Sequence, residues 1–224
     1  MSENDAFREV DEEMQRERLK KLWDRYGAYV LGAAIAIILG VGGFKGWQSY
    51  QQGRAESAGA DFDKALELAR GKKPDEAMAG LQKLATEGQG GYRALAKLQL
   101  AQIAIDGGKP KDAGAIYDAL VIDPIADQRF KDFAKIRAAQ LMIDDASLPD
   151  MQNRLNDMTT SDNPWRHEAR ELLGLSAFKA GKLDVAEKTF NDILADVAAP
   201  RGLRQRAEVM LSLILAKTVK PAAG

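Results

Sequence analysis

The residues of this sequence that could do chemistry are few, and their spacing forms no catalytic or metal-binding motif. The single histidine, His167, has no serine or cysteine nucleophile in a recognisable motif. The acidic runs at 11–13 and 144–145 lack the alternating carboxylates and glycine of a calcium loop. The glycines at 88–91 lack the lysine and hydroxyl of a phosphate-binding loop. We therefore predict that the protein is not an enzyme and holds no metal or cofactor.

Composition excludes further classes of function. The 224 residues contain 0 cysteines, which rules out disulfides, thiol catalysis and cysteine metal sites. The net charge is −1 with 29% charged residues, so nothing indicates a nucleic-acid ligand. A small-molecule substrate is not expected either. Protein partners and membrane lipid remain as the interaction classes to consider.

One apolar stretch stands apart from the rest of the chain. Tyr26 to Phe44 is uncharged and lies between Arg25 and Lys45. As a helix it would be about 28 Å long, close to the thickness of a bilayer's hydrocarbon core. Aromatic residues flank it at both ends, as is typical of membrane interfaces: Trp23, Tyr26, Tyr29, Phe44, Trp47 and Tyr50. We predict a transmembrane anchor over residues 26–47.

Two other interpretations of this stretch are less favoured. A buried helix of a soluble core would be destabilised by its glycines: Gly27, Gly32, Gly40, Gly42 and Gly43. A cleaved signal peptide would need a small-residue cleavage site directly after the apolar run, and none is present there.

The basic residues near the anchor predict its orientation. Five lie in the fifteen residues before the apolar stretch and two in the fifteen after it: Arg16, Arg18, Lys20, Lys21 and Arg25, against Lys45 and Arg54. The excess places the N-terminus in the cytoplasm and the larger C-terminal part outside it. The predicted organisation is a charged cytoplasmic tail over 1–25, the anchor, a juxtamembrane linker or helix over 48–55 that loosens near Gly53, and a domain over 56–224.

Small residues recur every four positions within the anchor and form a stripe along one side: Ala28, Gly32, Ala36 and Gly40. Helices in lipid associate through close backbone contact over small residues. We predict that this small-residue stripe contacts another membrane protein. The alternative is that alanine and glycine are simply common in membrane spans.

The part of the chain after residue 55 is all-α, with a repeated pattern of apolar residues spaced by four and then three. Four such triplets recur at intervals of 36, 38 and 35 residues: Ala77/Leu81/Leu84, Ala113/Tyr117/Leu120, Met151/Leu155/Met158 and Ala186/Phe190/Ile193. A small residue precedes each triplet by twelve positions: Ala65, Ala101, Ala139 and Gly174. Prolines open the second helices of units one to three, at Pro74, Pro110 and Pro149. In unit four, Asn163 as N-cap and Pro164 in the first turn open the first helix. The pattern predicts an α-solenoid of helix pairs over 56–87, 91–123, 128–160 and 164–199, with a closing helix over 201–217.

The fourth unit resembles a tetratricopeptide repeat. It matches four features of that family, in order the Leu-Gly pair, the inter-helix glycine, the alanine of the second helix and the aromatic residue, at Leu173-Gly174, Gly181, Ala186 and Phe190. Unit two matches at Leu100-Ala101, Gly108, Ala113 and Tyr117. Units one and three depart from the pattern, because Ala146 replaces the glycine and Met151 the alanine in unit three.

The whole layout resembles the bacterial family of ancillary Sec-translocon subunits. The resemblance depends on the order of basic tail, glycine-rich anchor and short repeat domain, and on the anchor region LGAAIAIILGVGGFKGWQSYQQ. It implies an inner-membrane protein whose domain faces the periplasm. The implied partners are Sec translocon membrane subunits, a membrane-anchored periplasmic chaperone and newly exported client proteins.

Stacked repeats of this kind line a concave groove with their first helices. Carried over by register, the groove-facing positions are Leu98, Gln102, Ile105, Phe133, Ile136, Gln140, Ile143, Leu175 and Phe178. Their mixture of apolar and amide side chains suits an extended peptide or a partner's helix. The alternative at each position is a residue of the core.

The sequence thus predicts a membrane-anchored protein-interaction module that works as an ancillary translocon subunit. An envelope-assembly or cell-division scaffold of the same architecture is the main alternative. A cytoplasm-facing adaptor follows if the orientation is reversed, and an enzyme would need a site that no motif indicates.

Overall fold

The computed structural model describes the backbone of residues 3–71 and 73–218, with side chains outside the description at 1–19, 21, 22, 30, 33, 34, 72, 90 and 219–224. Most side chains of the predicted tail, 1–25, therefore lie outside the described residues. Contacts divide the chain into two units, Met1–Arg54 and Ala55–Gly224.

The described part of the first unit is helical. Helix α1, Glu3–Arg70, continues through Gly53, so the loosening predicted there is wrong. Within the described residues, no helix has both the length and the apolar character that a membrane span needs. The span predicted over 26–47 is not confirmed, and three of its side chains, those of Val30, Ala33 and Ala34, lie outside the described residues.

The second unit is built from the end of α1 and eight further α-helices within the described residues. They are α2 Pro74–Glu87, α3 Gly90–Asp106, α4 Pro110–Val121, α5 Gln128–Met142, α6 Leu148–Leu155, α7 Arg166–Lys179, α8 Leu183–Ala195 and α9 Arg201–Thr218. A short 3₁₀ turn, Asn156–Met158, follows α6. Consecutive helices pack on one another from α2 to α9, in the manner of a solenoid of helix pairs.

Local sequence explains where several helices begin and turn. Pro74 and Pro110 occupy the first positions of α2 and α4, where a missing backbone N–H costs nothing. Gly108 and Gly181 have positive φ angles, 71° and 72°, in the turns that separate the helices of units two and four. A left-handed residue there is most easily glycine, because a Cβ would crowd the backbone.

The start of α7 differs from the expectation. The helix begins at Arg166 with Trp165 as its N-cap, rather than directly after Asn163. The Asn163 Oδ1 atom instead accepts a 2.8 Å hydrogen bond from the Trp165 backbone N–H, which forms a turn before the helix.

The apolar triplets form the core of the domain, as predicted. All twelve members are buried, and all of them except Ala77 belong to four clusters arranged along the chain. Leu203, Ala207 and Ile214 bury the inner face of α9, and Met210 and Leu211 pack partly against the same cluster. The repeat register assigned from sequence is therefore confirmed.

The small residues before each triplet lie where two helices come close. In unit four, a Cβ added to Gly174 would lie 2.8 Å from Cζ of Phe190, closer than real Cβ contacts. In unit one, a Cβ on Gly80 would lie 3.4 Å from the Ala65 Cβ. Ala101 and Ala139 are fully buried. Small side chains are thus required for the approach of the paired helices.

Gly174→Leu should lower the free energy of unfolding by about 1–3 kcal/mol, because the new side chain overpacks the contact with Phe190. Ala101→Leu should have an effect of the same sign. The measurement is denaturant unfolding of the full chain followed by circular dichroism.

Gly114→Ala is the matched control. A Cβ at Gly114 in the interior of α4 meets no heavy atom within 4 Å. Alanine should stabilise the helix there by about 0.5–1 kcal/mol. Equal unfolding curves for Gly174→Leu and wild type would show that the two helices do not approach at this position.

Candidate protein-interaction surfaces

The nine residues predicted to line the concave groove have unequal access to a partner. Ile136 is only 2% exposed and belongs to the core, so its assignment to the groove is wrong. Seven are partly buried: Leu98, Gln102, Ile105, Phe133, Ile143, Leu175 and Phe178. Gln140 is exposed.

Most apolar members of this set already pack against the domain itself. Phe133 contacts Trp165 edge to face with ring centroids 5.8 Å apart. The Lys217 ammonium lies 4.3 Å from the centroid of the Phe178 ring, a cation–π contact with the closing helix. Leu98, Ile105, Ile143 and Leu175 border the core clusters. These side chains contribute to stability as well as to surface.

The two amide side chains of the set also have intramolecular partners. Gln102 donates from Nε2 to Asp106 over 2.8 Å, and Arg137 donates to Oε1 of Gln140 over 2.8 Å. A partner would have to compete with these hydrogen bonds. The concave face therefore offers fewer free groups than its sequence implies.

A surface that the sequence analysis missed lies between α2 and α4. The two helices both pack on α3 and leave an open groove above it, with a cavity volume of about 770 Å³. We call this the outer groove, and its larger apolar side chains are Met78, Leu100, Ile103 and Ile116. The available signal was the apolar residues Met78 and Ile116, which lie next to triplet members at positions that the triplet pattern does not require.

A buried carboxylate joins the helices beneath this region. Asp123, 3% exposed, follows α4 and accepts hydrogen bonds from Arg93 Nε, at 2.8 Å, and from Lys97 Nζ. Its other oxygen accepts the Ile125 backbone N–H at 3.0 Å. Burial alone would raise the pKa of Asp123, but the hydrogen bonds from Lys97, Ile125 and Arg93 outweigh it and hold the pKa well below its usual range.

Arg93 also contacts the preceding unit. Its Nη1 donates a 2.6 Å hydrogen bond to the backbone carbonyl of Thr86 in the last turn of α2. Arg93 thus joins the end of α2 to the loop that follows α4 in its own unit. We call this arrangement, a carboxylate after the second helix bound to a basic pair on the first, the carboxylate clamp.

The same carboxylate clamp recurs in unit four at identical spacing. Asp196 accepts from Arg166 Nε at 2.8 Å, lies 3.7 Å from Arg170 Nη1, and accepts the Ala198 N–H at 3.0 Å. The hydrogen bond from Arg166, followed by that from Ala198, lowers the pKa of Asp196 to about 2. Arg170 donates to the Thr159 carbonyl of the preceding unit at 2.9 Å, as Arg93 does to Thr86. Both carboxylates are therefore ionised at neutral pH.

His167 lies beside Asp196 of this second clamp. The ring is 4% exposed, its two nitrogens have no hydrogen-bond partner within the described residues, and Nε2 lies 3.6 Å from Asp196. Burial, followed by the charge of Arg166, lowers the pKa of His167 below its ordinary value, so the ring is neutral at pH 7. Within the described residues, no serine hydroxyl forms a hydrogen bond with either ring nitrogen. Those residues also contain no group of three or more potential metal ligands.

The small-residue stripe of α1 stays a prediction. A Cβ added to Gly32 or Gly40 would meet no heavy atom within 4 Å among the described residues, and Ala28 and Ala36 are exposed. The stripe is thus accessible along the helix, but nothing contacts it.

Fold and surfaces together define a helical-repeat protein whose accessible features suit protein partners. The tetratricopeptide repeat-like domain family matches residues 20–214, and the chain belongs to that family. A similar relative is the "Ancillary SecYEG translocon subunit" of Escherichia coli strain K12, 31% identical over 136 residues. The similarity covers 59% of this chain and 64% of the relative, so the chain spans less than two thirds of that relative's length. No solved structure matches the chain.

Asp123→Asn should lower the free energy of unfolding by about 3–5 kcal/mol, because Arg93 and Lys97 would remain poorly exposed without their counter-charge. The measurement is denaturant unfolding of the full chain at pH 7. Asp127→Asn is the control, since its ion pair with Arg129 is exposed and asparagine keeps the helix cap, so its effect should be much smaller than that of Asp123→Asn. A similar small effect for both variants would show that the clamp does not hold the units together.

Proposed function

We propose that this protein is an ancillary subunit of the Sec translocon that acts as a membrane-anchored protein-interaction module. The observation that carries the proposal is the match to the translocon subunit of Escherichia coli, found in a chain whose repeat domain belongs to a protein-interaction family. The absence of a catalytic motif in the sequence agrees with a binding role. In this role the domain assists newly exported proteins or a membrane-anchored periplasmic chaperone.

Membrane attachment through residues 26–47 is part of the proposal. Support comes from the uncharged stretch between Arg25 and Lys45 and from the exposure of its side chains. Ile37, Ile38 and Leu39 are 65%, 69% and 70% exposed, although successive helix residues face different directions. A helix that is apolar around its circumference requires an apolar environment on all sides. Lipid and the membrane subunits of the translocon provide one.

The proposed orientation places the N-terminus in the cytoplasm and the repeat domain in the periplasm. Support comes from the five basic residues before the apolar stretch against two after it. The small-residue stripe at Ala28, Gly32, Ala36 and Gly40 is the proposed contact with a translocon helix. An envelope-assembly or cell-division scaffold would share the anchor and domain but not the translocon partner.

The test combines topology and association. Because the chain has 0 cysteines, a single cysteine can be introduced at Lys20 or at Asp112 and labelled with a membrane-impermeant maleimide in intact cells. We expect labelling at Asp112→Cys and none at Lys20→Cys until the cells are lysed. In mild detergent, the full chain should co-purify with SecYEG.

Two results would contradict the proposal. Labelling of Lys20→Cys alone in intact cells would reverse the orientation and favour a cytoplasm-facing adaptor. Normal membrane insertion without recovery of SecYEG would favour the scaffold. Gly32→Ile with Gly40→Ile should reduce recovery of SecYEG, while Ile35→Leu with Leu39→Ile, on another face of the helix, should not.

A further inference from the structure

Two neighbouring grooves of the repeat domain differ in whether a salt bridge connects their walls, and the repeat register shows which residues correspond. The outer groove lies between α2 and α4 above α3. The next groove lies between α4 and α6 above α5, with a cavity volume of about 510 Å³. There, Arg154 Nη1 of α6 donates to Asp118 of α4 over 2.6 Å and connects the two walls. No such ion pair connects the walls of the outer groove within the described residues.

The difference follows from two substitutions between repeats. Gln82 of α2 occupies the register position of Asp118 in α4, five residues after the first triplet member. Ile116 of α4 occupies the position of Arg154 in α6, three residues after it. Both Gln82 and Ile116 line the outer groove. Where the second groove has a salt bridge, the outer groove therefore has an amide and an apolar side chain.

The charges around the outer groove define what can occupy it. Lys97 on its floor is already in an ion pair with Asp123. The remaining charged lining residues are Lys109, the N-cap of α4, and Asp112 in the first turn of that helix, at one end of the groove. Over Leu100 and Ile116 a charged group would lose water without gaining a counter-charge. The complementary surface is uncharged along its length and charged only near the α4 end.

From this geometry we infer that the outer groove binds an amphipathic helix of the translocon partner through a neutral apolar stripe. A helix above the α3 floor, flanked by α2 and α4, would be held in the helix-in-groove mode of peptide recognition. An acidic residue at its end would pair with Lys109 and a basic residue with Asp112. The inference rests on the proposed function, because the helix is assigned to SecYEG, and it moves recognition away from the concave face.

The sharpest test transfers the salt bridge of the second groove to the first. Gln82→Asp with Ile116→Arg should connect α2 to α4 as Asp118 and Arg154 connect α4 to α6. The probe is purified SecYEG in nanodiscs, titrated with the full chain carrying a fluorescent label. We expect the double variant to bind at least tenfold more weakly than wild type with no loss of thermal stability. Ala119→Arg, at an exposed position of the same wall, should weaken binding as well.

The control is the reciprocal exchange, Asp118→Gln with Arg154→Ile, which should leave affinity at the wild-type value or above. Binding of Gln82→Asp/Ile116→Arg and of Ala119→Arg within twofold of wild type would overturn the outer groove and leave the proposed function intact. No binding by wild type would overturn the proposed function, and this inference with it. A wild-type dimer in sedimentation that Gln82→Asp/Ile116→Arg converts to a monomer would assign the groove to a second copy instead.

Discussion

The repeat domain depends on two carboxylates that accept hydrogen bonds from basic side chains of the same chain. Asp123 and Asp196 each follow the second helix of a unit and accept hydrogen bonds from basic residues on the first helix of that unit. The same arginines, or the basic residue one turn later, reach the carbonyl that ends the preceding unit. Each carboxylate clamp therefore joins two units through side chains that are partly or fully removed from solvent. Helix packing alone would leave this connection to apolar contacts, which are less directional.

The directional ion pairs also affect the surfaces between the helices. The clamp beneath the outer groove holds Lys97 of the groove floor in an ion pair with Asp123. The walls are left without a salt bridge because Gln82 and Ile116 replace the pair found one repeat later. The same repeat pattern thus gives a groove without a salt bridge here and a groove with a salt bridge between its walls one repeat later. The two grooves differ here by two side chains.

Much of the fold could be predicted from the sequence, because the repeat constrains it several times over. The triplets beginning at Ala77 and Ala186 fix which helix faces are buried, and Gly174 fixes where two helices approach. The clamps could also have been found, since Arg93 precedes Asp123 by the same 30 residues that separate Arg166 from Asp196. That signal was missed because charged residues at wide separation carry no periodicity along one helix.

The interaction surface was harder to predict, for a physical reason. Register gives the side of a helix on which a residue lies but not how closely the next helix covers it. The spacing places Ile136 on the concave groove, but it is buried because α6 of its own unit and α7 of the next unit pack over it. Ile116 and Met78 are assigned to no surface by the sequence pattern, and they line the outer groove. Coverage depends on the distances between helices, which the spacing of residues along the chain does not contain.

The most direct test of the account is to ask which surface of the domain touches the translocon. A photo-crosslinking benzoylphenylalanine can be placed at Ala119 on the wall of the outer groove or at Gln140 on the concave side, both of them exposed. The full chain is then irradiated in membranes that contain SecYEG, and the crosslinked subunit is identified by mass spectrometry. The account predicts a crosslink to a SecYEG subunit from position 119 and none from position 140. A crosslink to SecYEG from position 140 alone would contradict it and return recognition to the concave face.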